Sequence, residues 1–366
     1  MHLSALKVHQ FRNLADIHLS PAPTLNFLYG ANGSGKTSLL EAIHYLSLAK
    51  SFRTRHNQHI IQHQTDAFTL FGQLHDGEHT TPIGMERSNK GELKIRLAGE
   101  TIPSIVSLTQ LLPIQLLTPD SRSLLTGSSK LRRQYLDWGV FHVEPSFLEH
   151  WQRTQRLLKQ RNAGLRLPTR KDLLQLWDQD LAQTVHILDL LRRSYIEKLA
   201  NVFIPMGQGF LQGKYTLSLR YKAGWDETTG LAQTLAQSLA RDLQLGYTQY
   251  GPQRADLVVK VDGNLAAHEV LSQGQQKLVV YALRLAQGSL LYQLSGKNCI
   301  YLLDDFTAEL DQHSREQVMS LLTSMNAQIF ITSVDEQALQ CLGHAADAQM
   351  FHVEHGNITH SIHVSM

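Results

Sequence analysis

Residues 30–37 read GANGSGKT, which fits G-x-x-x-x-G-K-[ST], a phosphate-binding loop. Gly30, Gly33 and Gly35 permit backbone angles that a side chain opposes. The N–H groups of Gly30, Ala31, Asn32, Gly33, Ser34 and Gly35 can then turn toward phosphate oxygens. Lys36 sets a compact cation against the β and γ phosphates, and the Thr37 hydroxyl is of the type that ligates Mg²⁺. Residues 25–29, LNFLY, read as a short buried strand. Residues 38–43, SLLEAI, read as the first turns of a helix, so the phosphates would meet a helix N-terminus near Ser38.

The chain has 366 residues, enough for one large domain with an insertion or for two domains. At 42% hydrophobic and 18% charged residues, with net charge +2, any anionic partner must be met by a local patch. Cys299 and Cys341 form no C-x-x-C pair, which argues against a disulfide framework and fits a reducing cytosol. Residues 1–14 are too polar for a signal peptide, and no apolar run approaches the ~18 residues of a membrane span. His59 and His63 lie four apart without the Glu of H-E-x-x-H, so they read as surface histidines rather than metal ligands.

Weak strands are expected at residues 3–8 and 17–19, with Pro21 and Pro23 marking a turn. Period-two alternation at residues 68–74 and 93–97 predicts an antiparallel lobe. Residues 112–117 read as a strand carrying Gln115, a candidate Mg²⁺ ligand and γ-phosphate sensor, and Pro119 ends it.

Residues 120–245 read as mostly helical. Within them, residues 120–172 hold eleven basic and five acidic residues, +6, so the rest of the chain carries −4. Arg153, Arg156, Lys159, Arg161, Arg166, Arg170 and Lys171 run without an intervening acid, and the first three share one helix face. Arg132, Arg133, Arg153, Arg156 and Lys159 are the candidate contacts to an anionic polymer, DNA first. Stripes at 173–203 and 231–243 predict two amphipathic helices forming an antiparallel arm.

Residues 251–259 return to a turn and a strand. LSQGQQK, residues 271–277, opens a helix: Ser272 suits an N-cap, and Gly274 leaves N–H groups open to an anion. Residues 299–305, CIYLLDD, form an apolar run ending in two carboxylates, as a buried parallel strand would. Asp304 is then placed for Mg²⁺ and Asp305 for the attacking water's proton. A helix at 313–325, a buried strand at 327–333 and a hairpin at 349–364 complete the chain.

This order of motifs resembles the ABC-type ATPase head. That resemblance implies an α/β fold with a mixed sheet core and an antiparallel lobe, plus an inserted helical arm. The expected parts are 1–119, 120–248 and 249–366. The 236 residues from Lys36 to Ser272 exceed transporter spacing and fall short of the long coiled coils of chromosome-structuring ATPases. F-R-N-L at 11–14, GSSKLRRQYLDW at 127–138, GPQRADL at 251–257 and LLDDFTAELD at 302–311 are similar to the bacterial RecF family of recombination mediators. The family usually has His where this chain has Gln253, and transporter heads carry Glu where this chain has Asp305.

The resemblance implies that two heads sandwich two ATP molecules. Lys36, Thr37 and Asp304 of one copy would act with Ser272, Gly274 and Gln275 of the other, with Arg12 and Asn13 also at the nucleotide. It implies an ATP-dependent homodimer in the cytoplasm, associated with the nucleoid. The dimer would bind duplex DNA and single-strand/duplex junctions near gaps, hydrolyse ATP slowly, and work with RecR and RecO in recombinase loading and SOS induction. A competing reading, an ATPase subunit docked on a membrane or other protein partner, leaves the basic insertion unexplained. A small-molecule kinase leaves the S-x-G-Q segment unexplained.

Overall fold

The computed structural model describes residues 1–167, 171–336, 339 and 348–363. Arg170, Cys341 and Val364, which entered the sequence reading, lie outside the described residues. The chain divides into two compact units, Met1–Asp120 with Leu291–Met366, and Ser121–Leu290. By compactness, therefore, residues 249–290 group with the helical segment rather than with the C-terminal part of the head.

The first unit holds two six-stranded sheets. One is antiparallel, in the order Leu14–Leu19, His2–Phe11, Ala67–His75, Thr80–Ser88, Leu93–Leu97, Glu100–Thr101. Its alternation has a direct cause: Phe68, Leu70 and Leu74 turn inward while their neighbours face out. The other sheet runs Asn357–His363, Ala348–Glu354, Leu25–Tyr29, Gln328–Ser333, Ile300–Leu303, Ile114–Leu117. Its last five strands are parallel, and the C-terminal hairpin supplies the antiparallel edge. Ile300–Leu303 and Gln328–Ser333 are buried at every position, which is why residues 300–303 and 329–331 read as apolar runs.

Helix Lys36–Leu48 contributes Leu39, Ile43 and Leu46 to the same core as Leu3 and Phe11 of the first sheet and Leu302 and Phe330 of the second. One buried amide joins the two sheets. Gln328 Oε1 accepts from Leu3 N at 2.8 Å, and Nε2 donates to the Leu3 and Ala22 carbonyls at 2.9 and 2.8 Å. All these groups lie away from water, so each bond replaces a desolvation cost of about 1–3 kcal/mol.

The second unit is built on helices Ser129–Val143, Phe147–Arg166, Lys171–Phe210 and Leu231–Leu245. The expected arm is present: Leu157 and Leu158 pack with Leu181, Val185, Leu231 and Leu235. Two details depart from the sequence pattern. Residues 120–245 are interrupted by strand Leu217–Lys222, which pairs antiparallel with Asp256–Val261; its period-two pattern is only six residues long and sits between helical stripes. Arg161 is no part of a basic surface. It is fully buried, bonded to Asp178 at 2.5 Å, Asp242 at 2.7 Å and Thr248 at 2.8 Å.

Candidate nucleotide site

The loop at 30–37 joins strand Leu25–Tyr29 to helix Lys36–Leu48, as its sequence requires. Gly30, Gly33 and Gly35 have φ of 150°, 78° and 122°. A Cβ on Gly30 would overlap the Val353 carbonyl, and one on Gly35 would press on Leu14. The C-terminal hairpin thus backs the loop, and Gly356 N donates to Ser34 O at 2.8 Å. The first-turn N–H groups of Lys36, Thr37 and Ser38 have no intrahelical acceptor and mark an anion position. Ser34 Oγ is buried without a partner among the described residues.

A cavity of about 650 Å³ opens over this loop. Arg12, Asn13, Asn32, Gly33, Gly35, Lys36, Thr37, Ser38, Asp304 and Asp305 all line it. Lys36 Nζ donates to the Gly30 and Ala31 carbonyls at 2.7 and 2.8 Å. Burial lowers its pKa, against the raising pull of Asp305 and Asp304. Thr37 Oγ1 donates to Asp304 Oδ1 at 2.8 Å, so hydroxyl and carboxylate, an all-oxygen pair suited to Mg²⁺, stand together.

The sheet order decides how the acids are held. One strand, Gln328–Ser333, lies between the loop strand and Ile300–Leu303. From its end, Thr332 Oγ1 donates to Asp304 Oδ1 at 2.8 Å and accepts from Asp305 N at 2.8 Å. Asp305 takes left-handed angles, φ 53° and ψ 39°, at the position just before helix Phe306–Glu309, without a capping bond from its side chain. Its pKa is raised, first by burial and then by Asp304 and Glu309, with Lys36 opposing.

Arg12 and Asn13 line the cavity with their side chains engaged. Arg12 grips Glu41 through two bonds of 3.0 and 2.7 Å. Asn13 donates to Gly33 O at 3.1 Å and accepts from Ser38 Oγ at 2.8 Å, bracing the loop. Glu41, fully buried, also receives Arg53 and Ser51. Glu41 and Arg53 carry no motif in the sequence that marks them as site residues, and Thr332 stands where transporter heads carry a His after the strand; His59 and His63, read as surface histidines, stand on the cavity wall. The only local signal for Glu41 was a lone carboxylate inside an apolar helix pattern.

Gln115 is a correction. It is fully buried and pairs in register with Tyr301, while Leu117 pairs with Leu303. At about 3.3 Å per residue its backbone sits roughly 10 Å along the strand from Asp304, and it does not line the cavity. Arg132 and Arg133, expected at DNA, are half-buried and bonded within the unit. Arg132 forms a two-bond pair with Asp256 at 2.7 and 3.0 Å, and Arg133 donates to Ala255 O at 2.7 Å and Ser129 Oγ at 2.9 Å. Arg153, Arg156 and Lys159 are exposed on one helix, with Arg153 paired to Asp180.

In the second unit, Ser272 precedes helix Gln273–Ser295. Its hydroxyl accepts from Gln275 N at 3.3 Å, and Gln275 Oε1 accepts from Ser272 N at 3.0 Å, a reciprocal capping box. Ser272 and Gly274 are both exposed, and a Cβ on Gly274 would meet nothing.

A phosphate-binding loop, a carboxylate pair one strand removed from it, and a helical insertion define an ABC-type ATPase head of the SMC-like class. The family model described as RecF/RecN/SMC N terminal domain matches residues 2–359. The chain is 47% identical over 363 residues to DNA replication and repair protein RecF of Pseudomonas fluorescens, covering 98% of each. It is 48% identical over 364 residues to the same-named protein of Stutzerimonas stutzeri, covering 98% and 97%. The chain belongs to the RecF family. Among solved structures, the recombination mediator protein RecF-ATP in the RecFOR pathway aligns with TM-score 0.87 at 24% identity, over 99% of this chain and 98% of that one. An Smc head bound to the C-winged helix domain of ScpA aligns at 0.61 and 13% identity, over 98% and 96%. No helix among the described residues is long and apolar enough to cross a membrane.

Proposed function

We propose that this chain is an ATP-gated DNA-binding switch of recombinational repair and replication. ATP joins two copies on DNA, and slow hydrolysis separates them. The observation that carries the reading is the pair of anion positions on different units: the loop at 30–38, and the exposed, capped helix start at Ser272, Gly274 and Gln275. A γ-phosphate that satisfies two helix N-termini holds their bearers together as a bridging ligand.

In this mechanism Lys36 leaves the Gly30 and Ala31 carbonyls for the β and γ phosphates. Thr37 and Asp304 would hold Mg²⁺, which supplies neutralisation of developing phosphate charge. Thr332 keeps the Asp304 carboxylate turned toward Thr37. Asp305, with its raised pKa, accepts the proton of the attacking water. Asp is one methylene shorter than Glu, which fits slow turnover.

Arg156 and Lys159, with Arg153, would contact duplex DNA and single-strand/duplex junctions. RecR, with RecO, would be partners in the cytoplasm. These assignments draw on the family name and the RecFOR setting of the aligned structure.

Gel filtration of the full chain with and without ATP and a gapped duplex tests the reading. The expected result is a shift from monomer to DNA-bound dimer only with ATP, lost in Lys36→Ala. A dimer that forms equally without nucleotide would overturn it.

A further inference from the structure

The helical unit contains a second cavity, of about 630 Å³, that plays no part in the ATP site. Its walls carry Lys159, Arg166 and Arg254, with Asn162, Gln253 and Tyr247, and no carboxylate among the described residues. The contrast with the rest of the unit is chemical. Arg132, Arg153, Arg161, Arg192 and Arg193 each hold an Asp. Among the described residues, Arg166 and Arg254 instead bond through Nε alone, on the Gly246 and Gln249 carbonyls at 3.0 and 3.2 Å. Their terminal guanidinium nitrogens, and the Lys159 ammonium, have no partner among the described residues.

The cavity floor is built rather than incidental. Asn162 Oδ1 accepts from Thr248 N and Oγ1 at 2.8 and 2.7 Å, and the buried Arg161 bonds that same hydroxyl. Gln253 Nε2 donates to the Thr248 and Tyr250 carbonyls, both at 3.2 Å, fixing the turn that carries Tyr247. Tyr247 lines the cavity and is 39% exposed, so packing does not seal it from a ligand. Three cations beside an aromatic ring, in a volume of small-molecule size, suit a phosphate joined to a planar base.

The geometry points to a nucleotide-binding pocket on the helical unit, taking one phosphorylated nucleoside, either free or from an unpaired DNA strand. A paired, stacked base cannot enter it without leaving the duplex. In its strand form the inference rests on the nucleic-acid reading above and gives it a physical means of telling junctions from plain duplex.

The test uses the full chain without added ATP for oligo-dT and dTMP, and with a non-hydrolysable ATP analogue only for the blunt duplex, because that analogue is itself a phosphorylated nucleoside. The probes are a fluorescent twelve-residue oligo-dT, free dTMP and a blunt duplex. Oligo-dT binding is expected to weaken roughly tenfold in Tyr247→Ala and to be restored in Tyr247→Trp. In Arg166→Ala/Arg254→Ala the salt slope should flatten by about 0.7, for the one phosphate the pocket takes, with blunt-duplex affinity unchanged. Affinity that grows from dTMP to the twelve-mer assigns the pocket to a strand; equal site-for-site affinity assigns it to a free nucleotide. Both support it provided the variants lose the binding. Unchanged binding in the variants, or equal competition by polyglutamate, overturns it. Failure of the wild type to bind the blunt duplex as well would instead count against the DNA reading itself.

Discussion

Thr332 Oγ1 donates to Asp304 Oδ1 at 2.8 Å, and this is the same carboxylate oxygen that receives the Thr37 hydroxyl. One strand-end hydroxyl therefore aims the carboxylate toward the phosphate loop and, by accepting from Asp305 N, fixes the backbone of the second acid. Thr332→Val keeps the shape but removes both bonds at a buried position. It should cost about 1–3 kcal/mol in urea unfolding. ATP turnover should fall more than ATP affinity, and equal losses in both would make Thr332 merely structural.

Asp305 provides a pH signature. Burial, Asp304 and Glu309 raise its pKa, and Lys36 only partly offsets them. A raised carboxyl is already protonated at a pH where an ordinary aspartate is still ionised. Hydrolysis should therefore fall with decreasing pH along a limb displaced above the usual aspartate range, visible in single-turnover rates. Asp305→Asn should bind ATP and dimerise yet show no such limb.

Arg161 is predicted to govern stability and not DNA affinity. Arg161→Met leaves the fully buried Asp242 and the mostly buried Asp178 without their cation. The expected loss is about 3–5 kcal/mol, read as a lower urea midpoint. A change in DNA salt dependence without loss of stability would return Arg161 to the surface.

For the exposed face, Arg153, Arg156 and Lys159 changed together to Ala should flatten the duplex salt slope by about 2.7 if all three meet phosphates. The Arg153 pair with Asp180 competes with that contact, which would bring the figure toward about 1.8. Arg132→Ala should leave the slope alone and lower stability, because it strands Asp256. A slope unchanged by the triple variant moves the duplex surface elsewhere.

The features legible in the sequence were those whose cause is contiguous. The GANGSGKT loop carries its strand, its glycine angles and its helix within about twenty residues, and all three stand where the pattern put them. The apolar run ending at Asp304 and Asp305 and the alternating strands of the lobe were equally local. Strand Leu217–Lys222 was missed because its pairing partner begins at Asp256, beyond an intervening helix.

By itself, then, the order of residues determined a nucleotide head with a basic helical insertion, since backbone geometry and burial period act between near neighbours. Only the tertiary structure decided which charges are free. Arg156 and Arg161 lie five positions apart in one helix. Yet Arg161 is neutralised by an aspartate 81 residues away while Arg156 faces water. Gln115 differs from a strand-end ligand only by the register that sinks it two residues below Leu117. Ion pairing and depth are set by what folding brings alongside, and a residue's own neighbourhood in the chain holds no record of that.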